Sequence, residues 1–567
     1  MLQIKDLKLL HDKDFRVLID SLSFTVNPGD KIVIIGEEGE GKSTLLKWIF
    51  DPSMILHYAE AEGERVIKGE RLGYLPQELS AGELQQSVYD FMNSEPCFQD
   101  TDPAQLSKTA NMVGIDPGTF FEDRKMHTLS GGEKVKLQLA RILLSQPTVI
   151  LLDEPSNDID IETLEWLERF INGFRGGILF VSHDETLIER TANRVIHIEQ
   201  LSHKTLPRHT VANIPYREYM QQRLHGFALQ EMQARQDRRQ QRIAEEKWRK
   251  IYQRVEHEQN VISRADPSGG RLLKKKMHAV KSQGRRLEKQ RENMTEDPRF
   301  EHEIKLMFDY DPSPYNGREL LNVRIPMLTA GGKFVNELAD NAALTVQLGI
   351  TPAENANPEV PSGRILAENI ELKVLPGEKI CITGKNGTGK TTLLKEIKSA
   401  IEQRPNIHCA YMPQNYEELL DPELTPVEFL CKSGDKEEKV LINNRLSSLR
   451  FTPDDIKRKI SELSGGQKAK LLLLSLTLSG AYVLLLDEPT RNFSPLSGPV
   501  IREMLAGFAG TIISVSHDRK YIEDVADKVY RLEKTGLYKL PRDRWSSFYE
   551  LKQPAPAHYA AQRKGPL

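Results

Sequence analysis

Gly36-Glu37-Glu38-Gly39-Glu40-Gly41-Lys42-Ser43 follows the apolar run Val33-Ile34-Ile35, and Gly384-Lys385-Asn386-Gly387-Thr388-Gly389-Lys390-Thr391 follows Ile380-Cys381-Ile382. A short buried strand feeding a glycine loop that ends in Lys-Ser/Thr is a phosphate-binding arrangement. The glycines let successive backbone N–H groups turn toward a polyphosphate, and the N-terminus of the next helix adds positive potential. Working outward, four further signals recur in the same order in both halves. Gln77 and Gln414 each sit in Tyr-x-Pro-Gln, and Leu129-Ser130-Gly131-Gly132-Glu133 is matched by Leu463-Ser464-Gly465-Gly466-Gln467. Asp153-Glu154 and Asp487-Glu488 close the apolar runs Val149–Leu152 and Val483–Leu486, and His183 and His517 follow Ile178–Val181 and Ile512–Val515. The serines (130, 464), glutamates (154, 488) and histidines (183, 517) are all offset by 334 residues, which marks an internal duplication.

Continuous apolar runs of this length read as strands buried on both faces, so the predicted fold class is α/β: two tandem phosphate-loop nucleotide-binding domains, each a mostly parallel sheet wrapped by helices with ligands at the carboxyl ends of the strands. A chain of 567 residues exceeds one hydrophobic core. The expected division is 1–215 for the first domain, 216–305 for a basic helical hairpin, 306–550 for the second domain and 551–567 for a disordered tail. The polar, helix-compatible sequence of about 50 residues between each glutamine and its following serine predicts a helical subdomain in each half. A Pro-, Asn- and Gly-rich segment from Asn341 to Arg364 predicts a loop.

Hydrophobic residues make up 39% and charged residues 28% of the chain, a balance that predicts solvated globular domains. Cys97, Cys381, Cys409 and Cys431 show no disulfide or metal-ligand spacing, and Met1-Leu2-Gln3-Ile4-Lys5 lacks the apolar core of a signal peptide, so a cytoplasmic location is expected. The best membrane candidate, Leu471 to Leu486, is short of the ~18 apolar residues needed and is interrupted by Ser475, Thr477, Ser479 and Gly480. It reads as a buried helix running into a buried strand, with no membrane insertion.

Arg217 to Phe300 carries 21 Lys plus Arg against 12 Asp plus Glu in a chain whose net charge is -3. Two antiparallel helices are predicted, Arg217 to Ile262 and Arg271 to Glu296, joined by the turn signal Asp266-Pro267-Ser268-Gly269-Gly270. Trp248, Ile251, Tyr252 and Val255 form one expected apolar stripe, and Leu273, Met277, Val280 and Leu287 the facing one. At 1.5 Å per residue helices of roughly 70 and 40 Å follow, so the hairpin is expected to project. A charge run is more often a solvated face than an interface. Here the candidate RNA contacts are Arg264, Arg271, Lys274, Lys275, Lys276, Lys281, Arg285 and Arg286.

The motif residues have the chemistry of ATP hydrolysis. Lys42 and Lys390 can reach the β- and γ-phosphates, Ser43 and Thr391 can ligate Mg²⁺, Asp153 and Asp487 can hold its shell, and Glu154 and Glu488 can orient and deprotonate water. The Leu-Ser-Gly-Gly signature separates this chain from other phosphate-loop ATPases: these residues resemble the ATP-binding cassette superfamily. Two cassettes fused through a charged helical linker resemble its subfamily F, whose members are translation factors and ribosome-protection proteins.

The resemblance implies an intramolecular, head-to-tail cassette dimer within a monomeric chain, with ATP and Mg²⁺ held at two composite sites. One would use Gly36, Gly39, Gly41, Lys42, Ser43, Thr44, Gln77, Asp153, Glu154 and His183 with Ser464, Gly465 and Gly466. The other would use Gly384, Asn386, Gly387, Gly389, Lys390, Thr391, Thr392, Gln414, Asp487, Glu488 and His517 with Ser130, Gly131 and Gly132. Gln77 and Gln414 would sense Mg²⁺ and the water, and the histidines would contact the γ-phosphate. The implied partner is the ribosome, through rRNA and tRNA, with the linker entering from the tRNA exit site toward the peptidyl transferase centre. The function would be a general translation factor or protection against ribosome-targeting antibiotics.

Two features depart from the family pattern. The first loop holds Glu37, Glu38 and Glu40 where neutral residues are usual, and three carboxylates beside a polyphosphate weaken binding unless they point into solvent. Ser156-Asn157-Asp158-Ile159-Asp160 keeps the family's closing aspartate, whereas Thr490-Arg491-Asn492-Phe493-Ser494 ends in serine, so the two sites are not equivalent. For adenine stacking Phe15 is a candidate, and nothing comparable precedes Gly377. The alternative function is the ATP-binding subunit of a transporter with separate membrane chains, which has no need of a basic hairpin. A DNA-repair or SMC-like ATPase would carry far longer coiled coil or zinc-binding cysteines.

Overall fold

The computed structural model describes residues 2–12, 15–200, 206–261, 267–292, 308, 319–330, 364–404, 407–431, 433–449 and 451–545. Two compact units are distinguished, Met1–Tyr216 with Ile304–Leu567, and Arg217–Glu303.

In the first unit each half of the duplication builds the same six-stranded sheet. Its order is Leu72–Leu75, Val149–Asp153, Gly177–Val181, Lys31–Ile35, Arg194–Gln200 and Leu206–Ala212 in the first half. The second half runs Cys409–Met412, Val483–Asp487, Thr511–Val515, Lys379–Thr383, Lys528–Glu533 and Gly536–Leu540. Five strands are parallel and the last is antiparallel in both. Every residue of Lys31–Ile35, Val149–Asp153 and Gly177–Val181 is buried, which is why these segments read as apolar runs without alternation. This strand order brings the glycine loop, the Asp-Glu pair and the histidine to neighbouring carboxyl ends.

Antiparallel strands flank the sheets: Leu2–His11 between Arg16–Val26 and Ala59–Ile67 in the first half, and Leu321–Thr329 against Ile365–Val374 in the second. The sequence reading did not single them out. Ser21 and Asn369, equivalent positions in these flanks, both adopt positive φ. Short helices occupy the expected subdomains, among them Pro103–Val113 and Lys436–Ser448. Leu471 to Leu486 is indeed the end of the helix Gly465–Leu478 followed by the strand Val483–Asp487. Among the described residues no helix is long and apolar enough to cross a membrane.

The second unit contains the helices Tyr216–Val261 and Pro267–Glu292. Their contact is built from Val255, Met277 and Val280, with Trp248 and Tyr252 packed against them. Trp248 Nε1 donates to Val280 O at 2.8 Å, and Gln241 Nε2 to Leu287 O at 3.1 Å. Gly284 lets the helices approach, since a Cβ there would lie 2.9 Å from the Trp248 ring. Two expectations are corrected. Ile251 is 44% exposed, because the stripe follows 248, 252 and 255 and leaves 251 on its flank. The second helix begins at Pro267, so Gly269 and Gly270 lie in its first turn rather than in a reverse turn; proline suits a first helical position, whose N–H has no partner in any case. Residues 341–363 of the expected loop and the tail after Gln553 fall outside the described residues.

Candidate functional site

Gly41 and Gly389, at φ 92° and 93°, close the two glycine loops and start the helices Lys42–Phe50 and Lys390–Glu402. That left-handed conformation favours glycine, and Leu18 and Leu366 pack directly against these positions. Each loop lysine folds back onto its own loop. Lys42 Nζ donates to Gly36 O and Glu37 O at 3.0 and 2.8 Å, and Lys390 Nζ to Gly384 O and Lys385 O at 3.0 and 2.9 Å. Thr44 and Thr392 follow in the first turns.

Glu154 and Glu488 both sit at φ 51°, with their amides donating to Val181 O at 3.0 Å and Val515 O at 2.9 Å. A non-glycine residue held in this region is strained and persists only where its surroundings enforce it. The signature serines are helix caps: Ser130 and Ser464 accept from the amides of Glu133 and Gln467, whose side chains accept in return from the serine amides. This reciprocal capping explains the spacing of Ser-Gly-Gly-Glu/Gln.

The two sets of catalytic candidates differ in how fully they are engaged. In the first, Ser43 Oγ donates to Asp153 Oδ1 at 2.8 Å and Tyr74 Oη to Oδ2 at 3.2 Å. Glu154 is held by His183 Nε2 at 3.1 Å, Asn157 Nδ2 at 2.6 Å and Gln77 Nε2 at 3.1 Å. Burial pushes the Glu154 carboxyl up, but His183 and Asn157 outweigh it and hold the group at about 2. In the second set neither ring nitrogen of His517 has a hydrogen-bond partner and buried Asp487 has only the Thr391 hydroxyl beside it; in the first set His183 Nδ1 is likewise buried without a partner. Glu488 accepts from the His517 amide at 3.2 Å, while the ring Nε2 stays 3.8 Å away. Burial, then the charge of Asp487, raises the Glu488 carboxyl; burial, then Lys390, lowers His517 to about 3 and keeps its ring neutral.

A cavity of about 550 Å³ opens beside this second set, lined by Gly131, Asn157 and Asp158 from the first half and by Asn386, Gly387, Gly389, Lys390, Thr391, Thr392, Gln414, Asp487, Glu488 and His517 from the second. Asp487, with two buried oxygens beside the Thr391 hydroxyl, offers hard oxygen donors of the kind Mg²⁺ takes. The Ser43–Asp153 pair is the same donor set in the first half.

The halves meet head to tail. Asn386 Nδ2 donates to Asp158 O at 2.7 Å and Arg491 Nη2 to Asp158 Oδ2 at 2.8 Å. Arg502 makes a buried bidentate pair with Glu185, both distances 3.0 Å, and Arg519 reaches Glu168 at 2.5 Å and Asp184 at 3.3 Å. At the first loop, Glu38 Oε2 accepts from the Gly466 amide at 2.5 Å, so this acidic side chain turns toward the opposite signature and not into solvent. Phe15 is 78% exposed at φ 51°, and its counterpart by the glycine-loop offset, Gly363, is outside the described residues. Sequence reasoning gave no role to Tyr74 and Asn157, although both lie within quoted stretches, Tyr-x-Pro-Gln and Ser156–Asp160. It also missed Lys470 and the hydroxyl of Ser497, which lie in none. On the hairpin, Arg271, Lys274, Lys275, Lys276, Lys281, Arg285 and Arg286 are exposed; Arg264 lies outside the described residues.

A family model described as ABC transporter matches residues 19–157 and 367–491, one stretch in each half. The putative ATP-binding protein YdiF of Bacillus subtilis (strain 168) is 27% identical over 95% of this chain and 80% of its own length. The tylosin resistance ATP-binding protein TlrC of Streptomyces fradiae is 28% identical over 89% and 93%. ABC transporter F family member 5 of Arabidopsis thaliana is 24% identical over 91% and 73%. Among solved structures, the archaeal ribosome recycling factor aABCE1 in complex with the ribosomal stalk protein aP1 aligns with a TM-score of 0.54 at 17% identity, covering 94% of this chain and 90% of that one.

Proposed function

Since the chain is a tandem ATP-binding cassette protein of subfamily F and an ATPase, we propose that it works on the ribosome, binding in its ATP-closed state at the tRNA exit site with the hairpin directed toward the peptidyl transferase centre. The observation that carries this reading is the exposed basic series Arg271, Lys274, Lys275, Lys276, Lys281, Arg285 and Arg286 on one long helix. Such side chains neutralise RNA phosphates and release counterions, and a helix can carry them into a narrow channel. The resistance named for the Streptomyces relative and the ribosome recycling named for the archaeal structure agree with a role in translation or in protecting it.

The second composite site has the residues to hydrolyse ATP. Lys390 and the loop amides bind the β- and γ-phosphates, and the signature amides at Gly131 and Gly132 complete the site from the other half. Glu488 takes the proton of the attacking water as its oxygen bonds the γ-phosphorus and the bond to the bridging oxygen breaks, giving ADP and phosphate. Neutral His517 faces the γ-phosphate, and Gln414 positions the water. Mg²⁺, bound by Thr391 and Asp487, would neutralise charge on the phosphate oxygens. Closure follows because the opposing signature gains most when a γ-phosphate bridges the halves. The test is ATP turnover with and without ribosomes: stimulation of several-fold, lost when Lys274, Lys275 and Lys276 become alanine, supports the reading, and a rate indifferent to ribosomes refutes it.

A further inference from the structure

The two departures noted in the sequence, an acidic first loop and a serine at 494, are the two sides of one contact. Glu37 Oε1 accepts from Ser494 Oγ at 2.6 Å and from Ser497 Oγ at 2.8 Å, and its Oε2 lies 3.4 Å from Lys470 Nζ. Glu38 Oε2 accepts from the Gly466 amide in the first turn of the opposite signature helix. At the other composite site Lys385 pairs with Glu162 at 2.9 Å and Asn386 donates to a carbonyl, while Asp160 caps its own helix. Where the first half keeps a carboxylate on the closing residue, the second half has given it up, and the carboxylate stands on the facing loop. An aspartate at 494 would set two like charges against each other; a serine donates.

We infer that the first composite site is a nucleotide-independent latch, in which the carboxylate of Glu38 takes the place of the γ-phosphate on the second signature and that of Glu37 ties the loop to Ser494 and Ser497, leaving the second composite site as the one that binds and hydrolyses ATP. The amides that open a signature helix favour an anion, and a carboxylate already bonded there excludes a polyphosphate by position and by charge. Glu40 works in the same direction. It is 4% exposed and accepts from the amides of Glu37 at 2.5 Å and Gln200 at 3.0 Å, so it engages an N–H that a phosphate loop would offer its ligand.

The state of the catalytic groups agrees. Both oxygens of Asp153 and of Glu154 are bonded, by Ser43, Tyr74, His183, Asn157 and Gln77, and only His183 Nδ1 in that set lacks a partner, whereas both ring nitrogens of His517 lack one and Asp487 has only the Thr391 hydroxyl beside it. Buried polar groups are rarely left unpaired, and such a cluster facing a cavity is completed by a ligand.

This inference rests on the reading of the chain as an ATP-binding cassette protein, and its test needs no ribosome. Equilibrium dialysis of the full-length chain against a labelled non-hydrolysable ATP analogue with Mg²⁺ counts the nucleotides held at saturation. One per chain is expected, falling at least tenfold in Lys390→Ala. Exchanging the loop and its partner together, Glu37→Lys, Glu38→Asn, Glu40→Thr and Ser494→Asp, should raise the count to two. Two nucleotides on the unaltered chain would overturn the latch and leave the ATPase reading intact. None at all would overturn both, and neither count depends on whether the exchanged variant folds.

Discussion

Glu38 accepts a hydrogen bond at 2.5 Å from the amide of Gly466, 428 residues further along the chain, and so joins the phosphate loop of one half to the signature of the other. A Cβ on Gly466 would lie 2.8 Å from the Glu38 carboxylate and 2.9 Å from Asn492 O, whereas one on Gly465 meets nothing closer than 3.8 Å. Gly466→Ala should therefore destabilise the chain by about 1–3 kcal/mol through overpacking, and Gly465→Ala much less. Thermal unfolding of the two variants, measured without nucleotide, checks the difference.

The buried pair Arg502–Glu185 is a second tie between the halves. Removing one partner leaves the other charge buried and unpaired, so Arg502→Met should cost about 3–5 kcal/mol. Replacing both residues with apolar ones of similar volume should cost less than the sum of the single changes, which a double-mutant cycle reads directly.

Glu154 and Glu488, alike in sequence, should respond oppositely to amidation. The Glu154 carboxyl is depressed to about 2, so its contribution is present above the ordinary carboxylate range and is lost as pH falls through the folded value; Glu154→Gln should destabilise by about 1–2 kcal/mol at neutral pH. The Glu488 carboxyl is raised, so the folded chain retains a proton that the unfolded chain releases, and stability falls as pH climbs from the ordinary carboxylate range toward the raised value. Glu488→Gln should then stabilise the nucleotide-free protein, more at pH 8 than at pH 5. Unfolding midpoints across that range decide it.

Much of this was written in local signals. The apolar runs became the buried parallel strands because both faces of those strands are covered, and the serine-to-Glu/Gln spacing became the cap of each signature helix. What the sequence could not show was where side chains end. Glu37 and Glu38 read as charges spoiling a phosphate loop, since Ser494, Ser497 and Gly466, which receive them, are brought near only by the packing of the halves. Ile251 followed its stripe by spacing, but the facing helix meets 248, 252 and 255. The Asp-Pro-Ser-Gly-Gly signal is chemically a turn, and its proline serves equally as the first residue of a helix.

In the hairpin, Gly284→Ala places a methyl group within 2.9 Å of the Trp248 ring and should part the helices. The lysines at 274, 275 and 276 are exposed, and changing them to alanine should leave helicity intact. Circular dichroism during thermal unfolding separates the two outcomes. If those lysines face RNA phosphates, the triple alanine variant should also lower the slope of log affinity against log salt by about 2–3.

The central claim is that the ATP-closed chain binds ribosomes through its basic hairpin. Sucrose-gradient sedimentation of the Glu154→Gln, Glu488→Gln protein with ribosomes and ATP tests it most directly. Stoichiometric co-sedimentation that requires ATP, and that is lost with the triple lysine change, is the predicted result. A closed protein that remains at the top of the gradient would contradict it.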